Sequence, residues 1–421
     1  MKVIVIGSGL IGLCTAHFLV QSGVKVDVLE RGEGPARGAS FANGGLLTSS
    51  MAEPWNAPGV FGELLRSIGR PDSPLLLRPA AIPSLLRWGI SFLREARPNR
   101  HDRNTLSNIR LALYSRQVMT QLIDELNLRC SYDKRGALRI FREPSALQRA
   151  LSRAKWLRLH NVPSKLLNSD EAVYLEPALQ AIQSQLVGGI YYPNDAVGDA
   201  RQFCEALTTS LLQAGTSVNY RLPVLAWKRH KRRIEGVITK DGLLFADAFV
   251  VAAGSESRGL SRGVGLDLPI RPVKGYSVTL PASDTSNIPR IPVIDDCLHA
   301  VVSPIGRLLR IAGTAEFAGF NLDVPQARVD NLHRLLREIY PKIFASMDAS
   351  ISQRWAGLRP VSADGVPIIG KTPLENLYVN TGHGHLGYTL AAGSGKVIAD
   401  LITAHRPGLD VRDYALQRPR E

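Results

Sequence analysis

The sequence predicts an α/β chain, α+β overall, in which a parallel sheet flanked by helices is joined to a second, mainly antiparallel sheet. Three observations predict it. Residues 2–6 form a short apolar run that leads straight into Gly7-Ser8-Gly9-Leu10-Ile11-Gly12, and an amphipathic helical stretch follows at 13–22. A second apolar run, 24–29, comes after the helix-stopping Gly23 and ends on Glu30, completing a β-α-β unit. Far along the chain, 376–395 again reads as strand, glycine loop and helix.

Composition sets the outer limits. With 421 residues, 45% hydrophobic and 21% charged, the chain is too long for a stapled mini-domain and too apolar for disorder. The 51 Lys+Arg against 37 Asp+Glu give a formal charge of +14, which raises three kinds of partner: nucleic acid, an anionic membrane surface or an anionic small molecule. Cys14, Cys130, Cys204 and Cys297 stand far apart without a C-x-x-C pair, so no metal site is expected and a reducing, cytoplasmic setting is. No cleavable leader is expected ahead of the first strand. The greasiest stretch, 75–93, is cut by Arg78, Pro79, Pro83 and Arg87, so no membrane-spanning helix is expected there.

The N-terminal unit carries a chemistry. Gly7 permits the tight turn, Gly9 lets backbone approach a pyrophosphate, and Gly12 lets helix and strand pack closely. The helix N-terminus offers unpaired N–H groups to phosphate, and Glu30 would accept from ribose hydroxyls. An acid there disfavours a 2′-phosphate, which leaves NAD and FAD both open. The small-residue run 31–47, with Ser40, Asn43, Gly44 and Gly45, cannot be a helix interior; it reads as backbone laid against something large and flat.

The remaining elements follow in order. Residues 104–128 are helical, 136–141 a strand, 145–160 a helix with a basic face, 188–193 a strand and 198–213 a helix stopped by Gly215. A third parallel strand is expected at 217–221, then a meander of 224–227, 233–239 and 243–245. The basic run 228–233 lies at its first turn and reads as a solvated tip. Residues 246–254 form a buried strand ending in the small residues Ala252-Ala253-Gly254; it resembles the strand that slides under the cofactor in two-dinucleotide-binding-domain flavoproteins, with an ordinary core strand and turn as the alternative. In the second C-terminal block, the helix after Gly382-His383-Gly384-His385 presents another N-terminus suited to an anion or a polarised carbonyl.

The blocks at 7–12, 43–45, 54–59, 272–277 (Pro-Val-Lys-Gly-Tyr-Ser), 357–360 (Gly-Leu-Arg-Pro) and 382–395 resemble those of the bacterial FAD-dependent D-amino-acid dehydrogenase small-subunit family. That family lies within the glycine-oxidase and D-amino-acid-oxidase superfamily, and the match runs in order to about residue 402. The resemblance implies a Rossmann-like FAD-binding domain of the glutathione-reductase/D-amino-acid-oxidase type. Residues 1–78, 148–180, 196–262 and 352–421 would form it, and 79–147, 181–195 and 263–351 would form the substrate domain. It also implies oxidative deamination of a D-amino acid to the imino and 2-oxo acid, by hydride transfer from Cα to the flavin, with electrons passed to a quinone or other respiratory acceptor.

On that resemblance, cofactor contacts are expected from Gly7, Ser8, Gly9, Leu10, Ile11, Gly12, Glu30, Arg31, Ser40, Asn43, Gly44, Gly45, Leu46, Val224, Ala253, Gly254, Gly382, Gly384, His385, Leu386, Gly387, Tyr388 and Thr389. Arg359 matches the family's carboxylate-binding arginine, and its planar fork suits bidentate contact. Tyr276 is a candidate partner for the same carboxylate, with an interior tyrosine as the alternative. Lys274, on the same strand face, is a further substrate candidate but reads more readily as a packed surface lysine, and His383 is a candidate proton acceptor beside a structural alternative. Asn43 stands in the glycine-rich stretch and the C-terminal loop lacks cysteine, so non-covalent FAD is expected. The polar loop 48–53, with Glu53, and Tyr388 depart from the family pattern. They shift the expected substrate toward D-proline or hydroxy-D-proline, with Glu53 facing its ring nitrogen or hydroxyl.

Alternatives stay open at this stage. One is an oxygen-using D-amino-acid or glycine oxidase. Another is a nucleic-acid-binding flavoprotein, disfavoured because no Phe, Trp or Tyr interrupts the 228–233 run. The basic and apolar stretch 75–97 fits either a peripheral contact with the inner face of the cell membrane or a proline-broken core helix.

Overall fold

The computed structural model describes residues 1–67, 70, 73–282, 288–298 and 300–418. Its first sheet has the order Ile368–Lys371, Leu377–Thr381, Ala248–Val251, Lys2–Ile6, Lys25–Leu29, Ser217–Asn219. All neighbours are parallel except the antiparallel edge strand Ile368–Lys371. The expected β-α-β unit is present, and its helix begins at Leu10 rather than 13, inside the glycine fingerprint. That start is possible because Gly12 packs against the turn itself: a Cβ there would lie 1.9 Å from the carbonyl oxygen of Gly7.

One face of this sheet is covered by Leu10–Gln21, Ala200–Gln213 and Gly387–Ile402, whose apolar faces share one core with Pro98–Glu125. The last helix starts six residues earlier than the periodicity at 104–128 indicates, because Pro98 sits in its first turn, where a missing N–H costs nothing. The other face is closed by the meander Ala226–His230, Arg233–Thr239 and Gly242–Phe245. Residues 228–233 are all exposed at its first hairpin.

The second sheet has nine strands among the described residues, mostly antiparallel and in the order Gln353–Ser362, Ile270–Pro281, Leu308–Phe317, Ala300–Ile305, Val293–Asp295, Ala137–Phe141, Gly188–Tyr192, Lys165–Leu167, with Leu75–Leu77 added beside Leu308–Phe317. Lys165–Leu167, Leu75–Leu77 and Gln353–Ser362 therefore pair within this sheet, although they fall in segments expected in the cofactor domain. Conversely Pro98–Glu125, from a segment expected in the substrate domain, packs with the parallel sheet's helices. Helix Gln326–Ile339 covers one face of the large sheet, burying Val329, Leu332, Leu335, Leu336 and Ile339 against Tyr276, Val278, Val302 and Ile311. The opposite face, with Ile294, Val301 and Ala312, meets Leu46 and Met51. The site lies at that meeting.

Candidate active site

A cavity of about 1740 Å³ runs from the N-terminal fingerprint to the large sheet. Drug-sized ligands occupy pockets of roughly 300–1,000 Å³, so this one has room for a dinucleotide and a small substrate together. At one end it is lined by Gly7, Gly9, Leu10, Ile11, Glu30 and Arg31, with Val224 and the small floor Ala252-Ala253-Gly254. No side chain caps the helix at Gly9; its Leu10 N–H donates to Ser40 Oγ at 3.2 Å. Glu30 accepts from Ser8 N, Ser8 Oγ and Gly32 N at 2.8, 2.9 and 2.7 Å. About one of a carboxylate's four acceptor positions is then left for a ribose hydroxyl.

The middle of the cavity is bordered by Asn43, Gly44, Gly45 and Leu46, and by the loop after Leu377–Thr381 with Gly384, His385, Gly387 and Tyr388. Helix Gly387–Ile402 likewise lacks a hydrogen bond from its N-cap side chain, so two helix N-termini, with the partial positive charge of their first turns, border one cavity. These features fit the FAD expected from the sequence. Five of the expected contacts stand behind the wall: Ser8 on Glu30, Gly12 on Gly7, and Gly382, Leu386 and Thr389 in the packing of the C-terminal loop and helix. Thr389 Oγ1 accepts from the Thr48 N–H at 3.0 Å.

At the far end Arg359 rises from Gln353–Ser362 into the cavity. It is paired with Val273 across the sheet, and its guanidinium covers Gly275: a Cβ there would sit 1.9 Å from Nη1. Among the described residues no carboxylate lies within ion-pairing distance, and the guanidinium's hydrogen bond is Nη1 to the Thr314 carbonyl at 3.2 Å. Desolvation lowers its pKa to about 10, which still leaves it cationic at neutral pH. Thr314 sits at φ 59° where the register of Ile270–Pro281 and Leu308–Phe317 shifts, so a bulge aims its carbonyl at Arg359.

Trp55 and His385 complete this end. Arg359 lies over the Trp55 ring, 5.2 Å from its centroid, and that ring stacks on His385 at 5.1 Å and 7°. His385 Nε2 hydrogen-bonds Met51 O at 2.9 Å. Burial lowers the pKa of His385 to about 4 and of His383 to about 3, so both are neutral near pH 7. Neither ring nitrogen of His383 has a partner in the protein. A base so weak does not suit the proton-acceptor role considered for it.

The polar loop after Leu47 is tied down at nearly every step. Ser49 N, Ser50 N and Ser50 Oγ donate to buried Asp195, Asn108 Nδ2 to Ala52 O, the His101 ring to Pro54 O, and Asn56 Nδ2 to Ala363 O. Glu53 borders the cavity, but its carboxylate is held by Arg153, which also pairs with Asp102. The free acid expected to face a substrate ring nitrogen is thus engaged.

Two expected substrate residues are elsewhere. Lys274 and Tyr276 project from the strand face opposite Val273, Gly275 and the Arg359 guanidinium, because successive strand residues alternate sides. Both are buried under helix Gln326–Ile339. Tyr276 OH donates to Glu316 Oε2 at 2.6 Å; Lys274 Nζ donates to Asn321 Oδ1 at 2.9 Å and lies 3.7 Å from Glu316. Arg78 and Arg328 close on the same carboxylate at 2.7 and 3.4 Å. Burial pushes Glu316 up, but Tyr276, Arg78 and Lys274 outweigh it, so its pKa is lowered overall. Tyr388 borders the cavity, with its ring packed beside Phe203 and its buried hydroxyl turned toward the surroundings of Cys130, Cys204 and Asp199.

Some cavity residues were not singled out in the sequence as contacts. Trp55 was visible as a lone indole in a Pro/Gly-rich block, whereas nothing local marks the bulge at Thr314. Asn380, buried with Oδ1 unpartnered while Nδ2 donates to Thr15 Oγ1 at 3.1 Å, is a third. Among the described residues no group of three or more His, Cys, Asp or Glu is placed to hold a metal ion.

The family model "FAD dependent oxidoreductase" (DAO) matches residues 2–401. The chain is 38% identical, over 99% of both chains, to a curated protein named "D-amino acid dehydrogenase" from Paramagnetospirillum magneticum. It is 39% identical to one of the same name from Dechloromonas aromatica, covering 97% of this chain and 98% of that one. Among solved structures it resembles glycine oxidase from Geobacillus kaustophilus, with a TM-score of 0.80 at 23% identity and full coverage of both chains, a likeness of fold.

Proposed function

From the premise that this chain belongs to the DAO family of FAD-dependent oxidoreductases, we propose that it deaminates D-amino acids oxidatively, with D-proline and hydroxy-D-proline within its substrate range, and passes the electrons to a quinone or other non-oxygen acceptor. The single observation that carries the reading is Arg359: a cation inside the cavity, without a carboxylate partner among the described residues, held over Trp55 and Gly275. A substrate carboxylate would supply the missing counter-ion. The names of the relatives give the class of amino acid.

Bound FAD, which we expect to be non-covalent, supplies the two-electron oxidising power. The chain's own residues orient. Arg359 would hold the carboxylate by two N–H bonds, and the Thr314 carbonyl and Trp55 ring fix the fork's plane, so Cα is presented toward the middle of the cavity. His383 and His385 stay neutral, and the positive charge of Arg359 favours an uncharged substrate amine. The uncapped end of Gly387–Ile402 would stabilise negative charge developing on its side of the cavity.

Anaerobic bleaching of the holoenzyme's flavin by a panel of D- and L-amino acids tests this. D-isomers should bleach it and L-isomers should not; bleaching by L-isomers alone, or by neither, overturns the reading. Dye reduction with little peroxide in air supports a non-oxygen acceptor, whereas stoichiometric peroxide replaces it with an oxidase. Colour that stays with the denatured chain would show that the cofactor is covalent.

We extend the proposal to peripheral membrane contact. Helices Val60–Ser67 and Ile82–Arg94 expose Phe61, Leu65, Leu86 and Ile90 at 57, 53, 61 and 54%. Arg66, Arg87, Arg94 and Arg97 are exposed around them, while Glu63, Arg66 and Ser67 border the cavity. Apolar side chains with a basic rim suit an anionic bilayer surface. Among the described residues no helix is long and apolar enough to cross a membrane. Co-sedimentation with phosphatidylglycerol vesicles at low salt, lost in Phe61→Ser/Leu86→Ser, is the expected result; indifference to such vesicles overturns it.

A further inference from the structure

Three strands of the large sheet reach across to one short piece of cavity-lining backbone. Ser277 Oγ donates to Ala42 O at 2.6 Å, Arg310 Nη1 to Asn43 O at 3.2 Å and Ser303 Oγ to Gly44 O at 2.8 Å. The Gly198 N–H donates to Gly45 O at 2.8 Å. Four successive carbonyls are therefore taken by protein donors. Among the described residues the N–H groups of Asn43 and Gly44 meet no protein acceptor, and both residues border the cavity.

Arg310 is the largest part of this grip. It is 3% exposed; its Nε donates to Thr279 Oγ1 at 2.9 Å and its Nη2 to Asp199 Oδ2 at 3.2 Å. Asp199 in turn caps helix Ala200–Gln213, accepting from Arg201 N and Gln202 N at 2.9 Å each. One guanidinium thus connects a helix end, the large sheet and the Asn43 carbonyl. Burying such a pair is costly, and it is tolerated where a fixed geometry is the gain.

We propose that Arg310, gripped by Asp199, is a positioning residue that locks residues 42–45, whose Gly45 N–H is held by Asn43 Oδ1 at 3.0 Å, so that the free N–H groups of Asn43 and Gly44 serve the cofactor cavity, and thereby sets how tightly and in what hydrogen-bonding environment FAD is held. The inference rests on FAD occupying this cavity. Without the grip the carbonyls are free to rotate, and the donors offered to acceptor atoms of the cofactor rotate with them.

The test uses the full chain and two readouts other than turnover: the FAD dissociation constant, from recovery of flavin fluorescence on dilution, and the visible absorption bands of bound flavin. Arg310→Met should weaken FAD binding roughly tenfold or more, as expected for losing charge-assisted hydrogen bonds, and shift the bands. Arg310→Lys, which can keep the Asp199 pair and one carbonyl bond, should fall between Met and wild type. Because Arg310→Met leaves a buried carboxylate alone, Arg310→Met/Asp199→Asn serves as the second variant. It should regain wild-type far-ultraviolet circular dichroism without regaining FAD affinity or spectrum. A folded double variant with both at wild-type values overturns the positioning role. Wild-type chain that takes up no FAD would instead overturn the reading of the cavity.

Discussion

The guanidinium of Arg359 stands 5.2 Å from the centroid of the Trp55 ring, and the far partner of that ring is His385, stacked 5.1 Å away. One indole therefore joins Arg359, a cavity cation with no carboxylate partner among the described residues, to the C-terminal glycine loop. A cation over an aromatic face gains about 0.5–2 kcal/mol, more when water is excluded. Trp55→Ala should raise KM for a D-amino acid by roughly 3- to 30-fold, with FAD content unchanged. Trp55→Phe should recover part of it. Steady-state kinetics on flavin-loaded enzyme decide the matter, and an unchanged KM would mean that the ring only fills space.

Arg359 itself should matter more. Two charge-assisted hydrogen bonds to a carboxylate correspond to roughly 3 kcal/mol, so Arg359→Ala should lower kcat/KM about a hundredfold or more while the flavin stays bound. Arg359→Lys keeps the charge but loses the fork and its stacking, so only partial recovery is expected. Loss of flavin together with activity would assign Arg359 to the cofactor instead.

Gly275 gives a sharper probe, because it does not itself border the cavity but lies under the guanidinium that does. An added methyl would sit 1.9 Å from Arg359 Nη1 and 2.2 Å from Cζ, so Gly275→Ala must displace the guanidinium. A misplacement of about 1 Å can cost on the order of a hundredfold in rate. The variant should retain its fold and FAD and lose kcat/KM, in parallel with Arg359→Ala rather than in addition to it. Full additivity in the double variant would argue against the shared cause.

The same position shows why the sequence disclosed the cofactor end better than the substrate end. Gly7 to Glu30 are local: strand, turn, helix and acid follow one another, and the backbone alone dictates their arrangement. Arg359 was recognisable through its Gly-Leu-Arg-Pro block, which lies within strand Gln353–Ser362. Its neighbours were not, because Lys274 and Tyr276 share a strand with Gly275 but not a face, and which face meets the cavity depends on where helix Gln326–Ile339 packs. A glycine between two large polar residues was the available clue, since something must occupy the space that it leaves. Trp55 meets Arg359 across 304 positions, Thr314 meets it across 45 and Asn380 meets Thr15 across 365, separations that no local pattern reports.

Asp195 leads to a prediction about pH. It is 1% exposed, has no ion-pair partner among the described residues, and accepts from Ser49 N at 3.0 Å and from Ser50. Burial raises its pKa from 3.8 to about 6, against the opposing effect of these donors. The folded state therefore binds this proton more tightly than the unfolded chain does. The stability contributed by the protonated form is complete below the unfolded value near 4 and is lost as pH rises through 6. At pH 7 to 8 the chain thus holds an unfavourable buried charge beneath the loop that carries Met51 and Trp55, with a cost of up to roughly 3 kcal/mol. Asp195→Asn keeps an acceptor for both backbone N–H groups and removes the charge. It should melt at the same temperature as wild type below about pH 3.5 and at a higher one at pH 8, with the gap opening between about pH 4 and 6. Thermal melts across that range check this. A gap that does not change with pH would show that the carboxylate keeps one protonation state throughout, and the loop's stability would then have to come from its hydrogen bonds alone.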